Sequence, residues 1–122
     1  MVKEIEIFQI DAFTSEVFRG NPAGVTFCNN LTEAEKQLIA KEMNLSETAF
    51  ISESQIADYK LQWFTPTKEV NLCGHATIAS LHYLFEKGIV SDNQIIDFET
   101  LSGIISCASK SGKFFMQIPN PL

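Results

Sequence analysis

The chain has 122 residues, 45% of them hydrophobic and ten of them Phe, and carries a formal net charge of −6. That is one domain's worth of sequence with enough apolar matter for a core, which excludes a disordered chain. The acidic balance and the lack of any basic run argue against nucleic acid and anionic membrane surfaces as partners. No stretch approaches ~20 consecutive apolar residues, so no bilayer span is expected. Met1-Val2-Lys3-Glu4 opens without the apolar core of a signal peptide, and a cytoplasmic location is expected. Cys28, Cys73 and Cys107 are odd in number and widely spaced, which fits reduced thiols better than a disulfide framework.

In chain order, residues 4–13 read as a strand. Arg19-Gly20-Asn21-Pro22-Ala23-Gly24 has turn chemistry throughout and reads as a loop. It is not a phosphate-binding loop, because no Gly-Lys-Ser/Thr follows. Val25 to Cys28 reads as a short strand. Thr32 and Glu35 form a capping-box pattern, starting a helix to about Met43 that buries Leu38, Ile39 and Met43.

Glu47 to Ser52 reads as a strand. Between Asp58 and Phe64, Tyr59, Leu61 and Trp63 alternate with polar residues, the period of a half-buried strand. Thr65-Pro66-Thr67 reads as the loop that ends it. A helix is expected over 76–87, closed by Gly88 as its C′ residue. Residues 94–99 and 103–109 read as strands. A turn at Ser111-Gly112 then leads into Lys113 to Ile118, with Phe114, Met116 and Ile118 on one face.

Helix 76–87 is apolar nearly all round, with Ile78, Leu81, Leu84 and Phe85 among Ala76, Ala79 and Tyr83. Such a helix is buried rather than amphipathic, and Leu81, Leu84 and Phe85 are expected to be fully buried. The economical architecture is α+β: a curved, mostly antiparallel sheet wrapped around this central helix. Its N-terminus then opens inside the protein, where free N–H groups favour an anion. Cys73, Gly74 and His75 stand at that opening, which points to a carboxylate-bearing small molecule as substrate.

Several residues there have two readings. Glu47 is either a desolvated carboxylate at the end of an apolar row, suited to proton transfer, or a solvated residue just past a helix end. His75 either holds a substrate oxygen and shuttles a proton or is a structural imidazole, although a cationic His opposes the dipole there. Cys73 is either a thiolate favoured by the helix start or a small buried hydrophobe. Asn21 either presents its amide to a substrate or shapes a turn. Cys28 and Cys107 read as packing residues. His82 reads as a hydrogen-bonded core or boundary residue. His75 and His82 lie seven apart, about 10.5 Å along a helix axis, so they do not share a metal, and no zinc site is expected.

Five segments occur in a familiar order: Asp11-Ala12-Phe13-Thr14, Phe18 to Val25, Asn44 to Phe50, Trp63-Phe64-Thr65-Pro66, and Leu72-Cys73-Gly74-His75-Ala76-Thr77. Together they resemble the N-terminal half of the PhzF-like family, the phenazine-biosynthesis isomerases and their relatives. The resemblance spans nearly the whole chain. It implies a fold like diaminopimelate epimerase, with two lobes that each roll a sheet around a central helix. It also implies proton chemistry without a cofactor, in the cleft between lobes. In the phenazine enzyme a glutamate moves a proton between carbons of a dihydro-hydroxyanthranilate. That role falls on Glu47, and the Gly-His histidine falls on His75. Asn21, Ser46, Cys73 and Gly74 fall at substrate-binding positions. Cys73 matches the position of a catalytic cysteine in the related epimerases.

Family members carry a second lobe that supplies an acidic residue and part of the carboxylate pocket. Residues 1–122 match the first lobe alone. The expectation is an isomerase lobe, with a non-catalytic, self-associating module as the second reading and thiol chemistry at Cys73 as a third. That third reading needs a second cysteine from another chain. An isolated lobe exposes an apolar face, so a homodimer is expected, as is convergence of Glu47, Gly74 and His75 on one pocket.

Overall fold

The computed structural model describes residues 5–12, 21–71, 74–111 and 113–117, with the backbone alone at residues 10–12, 21–22, 74–76 and 114. Eight strands and two helices follow in the order β1 (Phe8–Ala12), β2 (Asn21–Phe27), α1 (Glu33–Met43), β3 (Glu47–Glu53), β4 (Tyr59–Phe64), β5 (Glu69–Val70), α2 (Gly74–Glu86), β6 (Ile95–Thr100), β7 (Gly103–Lys110) and β8 (Lys113–Gln117). All eight strands join one sheet in the order β1-β2-β3-β4-β6-β7-β8, with β5 also on β4. β2 with β3 and β4 with β6 are parallel, and the other pairs are antiparallel. The fold is α+β, a mixed and mostly antiparallel sheet with two helices.

The sheet curves around α2, which touches β1, β2 and β3 near one edge and β7 and β8 near the other. Ala79, Leu81 and Leu84 of α2 are fully buried against Ala23, Val25, Ala49, Ile51, Leu61, Trp63, Phe98 and Ile105 from the strands. Enclosure is incomplete, however. Phe85 is 36% exposed, which corrects the expectation that it is fully buried. His82, Phe85 and Glu86 follow the i, i+3, i+4 spacing of one helix face, and that face is the one left open. His82 sits on this boundary, with Nε2 3.2 Å from Glu86 Oε1.

α2 ends as its sequence predicts. Gly88 adopts φ +75°. Its N–H donates to Phe85 O at 3.0 Å, and the N–H of Ile89 donates to Leu84 O at 2.9 Å. This pair of bonds is the Schellman closure, in which a left-handed C′ residue satisfies the last free carbonyls.

α1 begins with the capping box: Glu35 N donates to Thr32 Oγ1 at 3.1 Å, and Thr32 N donates to Glu35 Oε1 at 2.9 Å. The helix covers the outer face of β3 and β4, where Ala40 packs with Phe50 and Phe64. The face it buries is not the expected one. Leu38 is 58% exposed, Ile39 is half-buried, and the buried residues are Lys36 and Ala40. At ~100° per residue, Leu38 lies on the side opposite Lys36 and Ala40.

That covering helix also corrects the half-buried reading of β4, in which Leu61, Gln62, Trp63 and Phe64 are all buried. α2 takes one side of the strand and α1 the other. Gln62 tolerates this because its amide is fully engaged. Its Nε2 donates to Glu33 Oε2 at 2.9 Å and to Glu69 Oε2 at 3.2 Å, and its Oε1 accepts from Lys36 Nζ.

The loop reading of residues 19–24 is corrected from Asn21 onward, because Asn21 to Gly24 open β2 between β1 and β3. Gly24 has a different reason to be small. A Cβ there would meet Leu45 Cδ1 at 3.3 Å and Ile7 Cγ2 and Thr48 Cγ2 at 3.4 Å. A close approach of neighbours, not a turn, gives this position its glycine. At the other end of the sheet, Met116 packs against the core while Phe115 is half-exposed. Ile118 lies outside the described residues.

Candidate functional site at the head of β2, β3 and α2

Glu47 is the first residue of β3. The period of two places it on the face of Ala49 and Ile51, which belong to the core around α2. The residue is half-exposed, but its Oε2 is fully shielded from solvent. Directly opposite in the parallel ladder stands Ala23 of β2. Two residues before Ala23, Asn21 starts β2. The parallel register therefore sets the starts of β2 and β3 at one end of the sheet.

α2 starts at the same end. Its C-terminal half packs on the opposite end of β1: the Tyr83 and Phe8 rings are 5.1 Å apart, and Lys87 Nζ lies 4.3 Å from the Phe8 ring centre and 3.7 Å from Glu6 Oε1. Phe8 pairs with Val25, whereas Ala12 pairs with Asn21. A 13-residue helix is about 20 Å long, close to the length of β2. With its last turns beside Phe8, its first residues, Gly74 and His75, fall at the Asn21 end.

The β4–β5 loop closes that end. Thr65 N donates to Lys68 O at 2.8 Å, Thr65 Oγ1 accepts from Lys68 N at 3.1 Å, and Gln37 Nε2 ties Thr65 O to α1 at 3.0 Å. The strand-ending reading of Thr65-Pro66-Thr67 thus matches a tight hydrogen-bonded turn. Ser46, immediately before β3, is exposed. Cys73 lies outside the described residues, as do the side chains of Asn21 and His75.

Two buried groups near Glu47 escaped the sequence reading. Among the described residues, Thr48 Oγ1 and Trp63 Nε1 are buried without a hydrogen-bond partner. The alternation of β4 marks Trp63 only as one residue on the apolar face of a strand. No sequence signal distinguishes a satisfied indole from an unsatisfied one.

A cavity of about 320 Å³ lies elsewhere, at the far end of α2, lined by Phe8, Gln9, His82, Tyr83, Glu86 and Lys87. Burial, and secondarily the Glu6 carboxylate, push the Tyr83 hydroxyl's pKa up, so it stays protonated there. Cys28 and Cys107 are free thiols. Cys107 is buried, and burial, helped by the Asp97 carboxylate, pushes its thiol up to about 12, which suits packing rather than nucleophilic chemistry. Among the described residues no three His, Cys, Asp or Glu side chains gather closely enough to hold a metal ion. No described helix is long and apolar enough to cross a membrane.

A family model described as "Phenazine biosynthesis-like protein" matches residues 10–119. The chain belongs to the phenazine biosynthesis-like family. The "Uncharacterized isomerase YfhB" of Bacillus subtilis (strain 168) is 42% identical to it over 120 residues, spanning 96% of this chain and 41% of that protein. The human "Phenazine biosynthesis-like domain-containing protein" is 45% identical over 124 residues, spanning 95% of this chain and 43% of the relative. The crystal structure of the Bacillus anthracis phenazine biosynthesis protein of the PhzF family superposes with a TM-score of 0.84 at 36% identity, covering 94% of this chain and 40% of that one. A hydroxyproline epimerase from Agrobacterium vitis shares the fold alone, with a TM-score of 0.65 at 11% identity. This member of the phenazine biosynthesis-like family spans about two fifths of the length of the curated relatives it matches.

Proposed function

We propose that residues 1–122 are the N-terminal lobe of a cofactor-independent isomerase that shifts a proton between carbons of a small, carboxylate-bearing substrate. Glu47 takes and returns the proton, and His75 assists at the substrate. Asn21, Ser46, Cys73 and Gly74 contact the substrate around them. The observation that carries this reading is the position of Glu47, with one carboxylate oxygen shielded from water, at the sheet end where α2 begins. A base of that kind needs a dry flank and an anchor for the substrate's own charge. The free N–H groups of a helix start are such an anchor. The isomerase names of relatives such as YfhB support the reaction class.

The test is deuterium uptake. The chain is incubated in D2O with a dihydro-hydroxyanthranilate, and exchange at the ring carbons is followed by proton NMR. Exchange that falls ~100-fold or more in Glu47→Gln, the usual scale for a lost general acid–base, supports the assignment. Equal exchange in both proteins removes Glu47 from the chemistry.

A second reading is a self-associating lobe with an incomplete site. Its support is the chain's span of about two fifths of its relatives, together with the exposed Ile95 and Phe115 on the outer side of the β6–β8 strands. In this reading the lobe forms a homodimer, and it folds and assembles without turnover. Sedimentation across a concentration range separates the two: a dimer inert in the exchange assay favours the module, and an active species of either size favours the isomerase. We place the protein in the cytoplasm, on the support of the free Cys28 and Cys107 thiols.

A further inference from the structure

Trp63 is 1% exposed, and its indole N–H has no acceptor among the described residues. Buried indole N–H groups ordinarily find one, because an unmatched donor keeps the whole cost of leaving water. Its place in the sheet suggests what the missing acceptor is. Trp63 pairs with Ala49 in the β3–β4 ladder. Glu47 is two residues before Ala49 on the same face, which makes Trp63 its diagonal neighbour, about 7–8 Å away by the usual sheet spacing. The side chains beside them, Ala23 opposite Glu47 and Ala49 opposite Trp63, are among the smallest available. Neither alanine carries a polar group, so neither supplies the indole with an acceptor.

We propose that the Trp63 N–H is a ligand-binding donor of the Glu47 site, held ready for a carboxylate oxygen of the bound substrate. This rests on the reading of Glu47 as the proton-transfer residue. It adds a specificity element to that reading: a neutral, non-titrating donor that accepts an anionic oxygen and offers nothing to an ammonium group. Bound substrate then supplies the acceptor for the indole N–H. The indole acts as a positioning residue and exchanges no proton with the reacting carbons.

Trp63 is the single tryptophan of the chain, so its indole gives one resonance in a proton–nitrogen correlation spectrum. The probe is cyclohexanecarboxylate, which has a carboxylate and no aromatic ring current to mimic the effect. On titration into the millimolar range, the indole proton is expected to move downfield and saturate with the same midpoint as the backbone amides around Glu47. Trp63→Phe, which keeps a ring and loses the donor, is expected to bind the probe about tenfold more weakly, the scale of one hydrogen bond to a charged group. The wild-type titration decides even if that variant folds poorly. Amides near Glu47 that shift while the indole stays fixed overturn this inference and leave the site reading standing. A spectrum in which nothing moves overturns both.

Discussion

Ala23 of β2 stands directly opposite Glu47 of β3 in a parallel pair. Parallel neighbours begin at the same end of a sheet, so this one register brings two sequence-distant segments, around Asn21 and around Glu47, to a common rim. The link between them is α1, which crosses the outer face. The pairing also sets Glu47 beside a residue whose side chain is a single methyl group. Four further consequences of the structure can be measured.

The two sides of α2 should respond differently to truncation. Leu81 is fully buried and Phe85 lies on the open face. Leu81→Ala is expected to cost about 2–5 kcal/mol, the range for a core leucine. Phe85→Ala is expected to cost clearly less despite removing a larger side chain. Urea unfolding of both variants checks the order, and equal losses would mean α2 is enclosed on all sides.

Thr48→Val should stabilise the fold. The Thr48 hydroxyl is buried with no partner, so it bears the cost of leaving water and returns nothing. Valine has the same shape without the hydroxyl. A gain of about 1 kcal/mol is expected, read as a rise in the urea midpoint at unchanged slope.

Lys36→Met should do the opposite. Lys36 is 6% exposed and its ammonium reaches Gln62 Oε1 and, at 3.3 Å, Glu33 Oε1. Methionine fills the space but leaves the buried Gln62 carbonyl without a donor. A loss of about 1–3 kcal/mol is expected. The double variant Lys36→Met with Gln62→Leu, which removes both partners, should recover part of it.

Cys107 should make the protein sensitive to alkali. In the fold its thiol is held up to about 12, against an ordinary 9.0. Between these values the unfolded chain has lost the thiol proton and the folded chain has kept it, so stability falls as pH rises. The contribution is complete below pH 9 and is lost on approach to pH 12. Cys107→Ala lacks this slope. The difference in unfolding free energy between wild type and variant should therefore shrink from pH 8 to pH 11, and a constant difference would refute the assignment.

Much of the fold was legible because local chemistry and tertiary structure agree. Thr32 and Glu35 cap α1 as their spacing requires, Gly88 closes α2, and the alternation from Tyr59 to Trp63 gives β4 the right face. The failures have a common cause in the second layer. Leu38 was assigned to the core because it is apolar, yet α1 turns Lys36 and Ala40 inward because Gln62 and Glu33 supply partners for the ammonium. Asn21-Pro22-Ala23-Gly24 carries turn residues and is nonetheless a strand, since Gly24 answers to the crowding of Leu45, Ile7 and Thr48. For the candidate site, the residue types at Glu47 and Gly74-His75 could be read directly. That β2, β3 and α2 all start at one end could not, because it depends on a parallel register that periodicity does not encode. The unmatched Trp63 donor was invisible because an alternating strand marks a buried indole without telling whether its N–H finds an acceptor.

The parallel pairing of β4 with β6 has a consequence for how the chain assembles. Tyr59 meets Phe98, and the junction is fastened by Asp58 N donating to Asp97 O at 3.0 Å and Asp97 N donating to Asp58 Oδ2 at 2.8 Å. The segment between these partners contains all of α2. The hairpins β3–β4 and β6–β7–β8 can form from short loops, but bringing them together closes a loop nearly forty residues long. That closure entropy is recovered only when α2 docks against both halves. Helix docking and sheet joining are therefore expected to be one event, with the Asp58–Asp97 fastening formed late in it. Substitutions there should speed unfolding while leaving the folding rate nearly untouched.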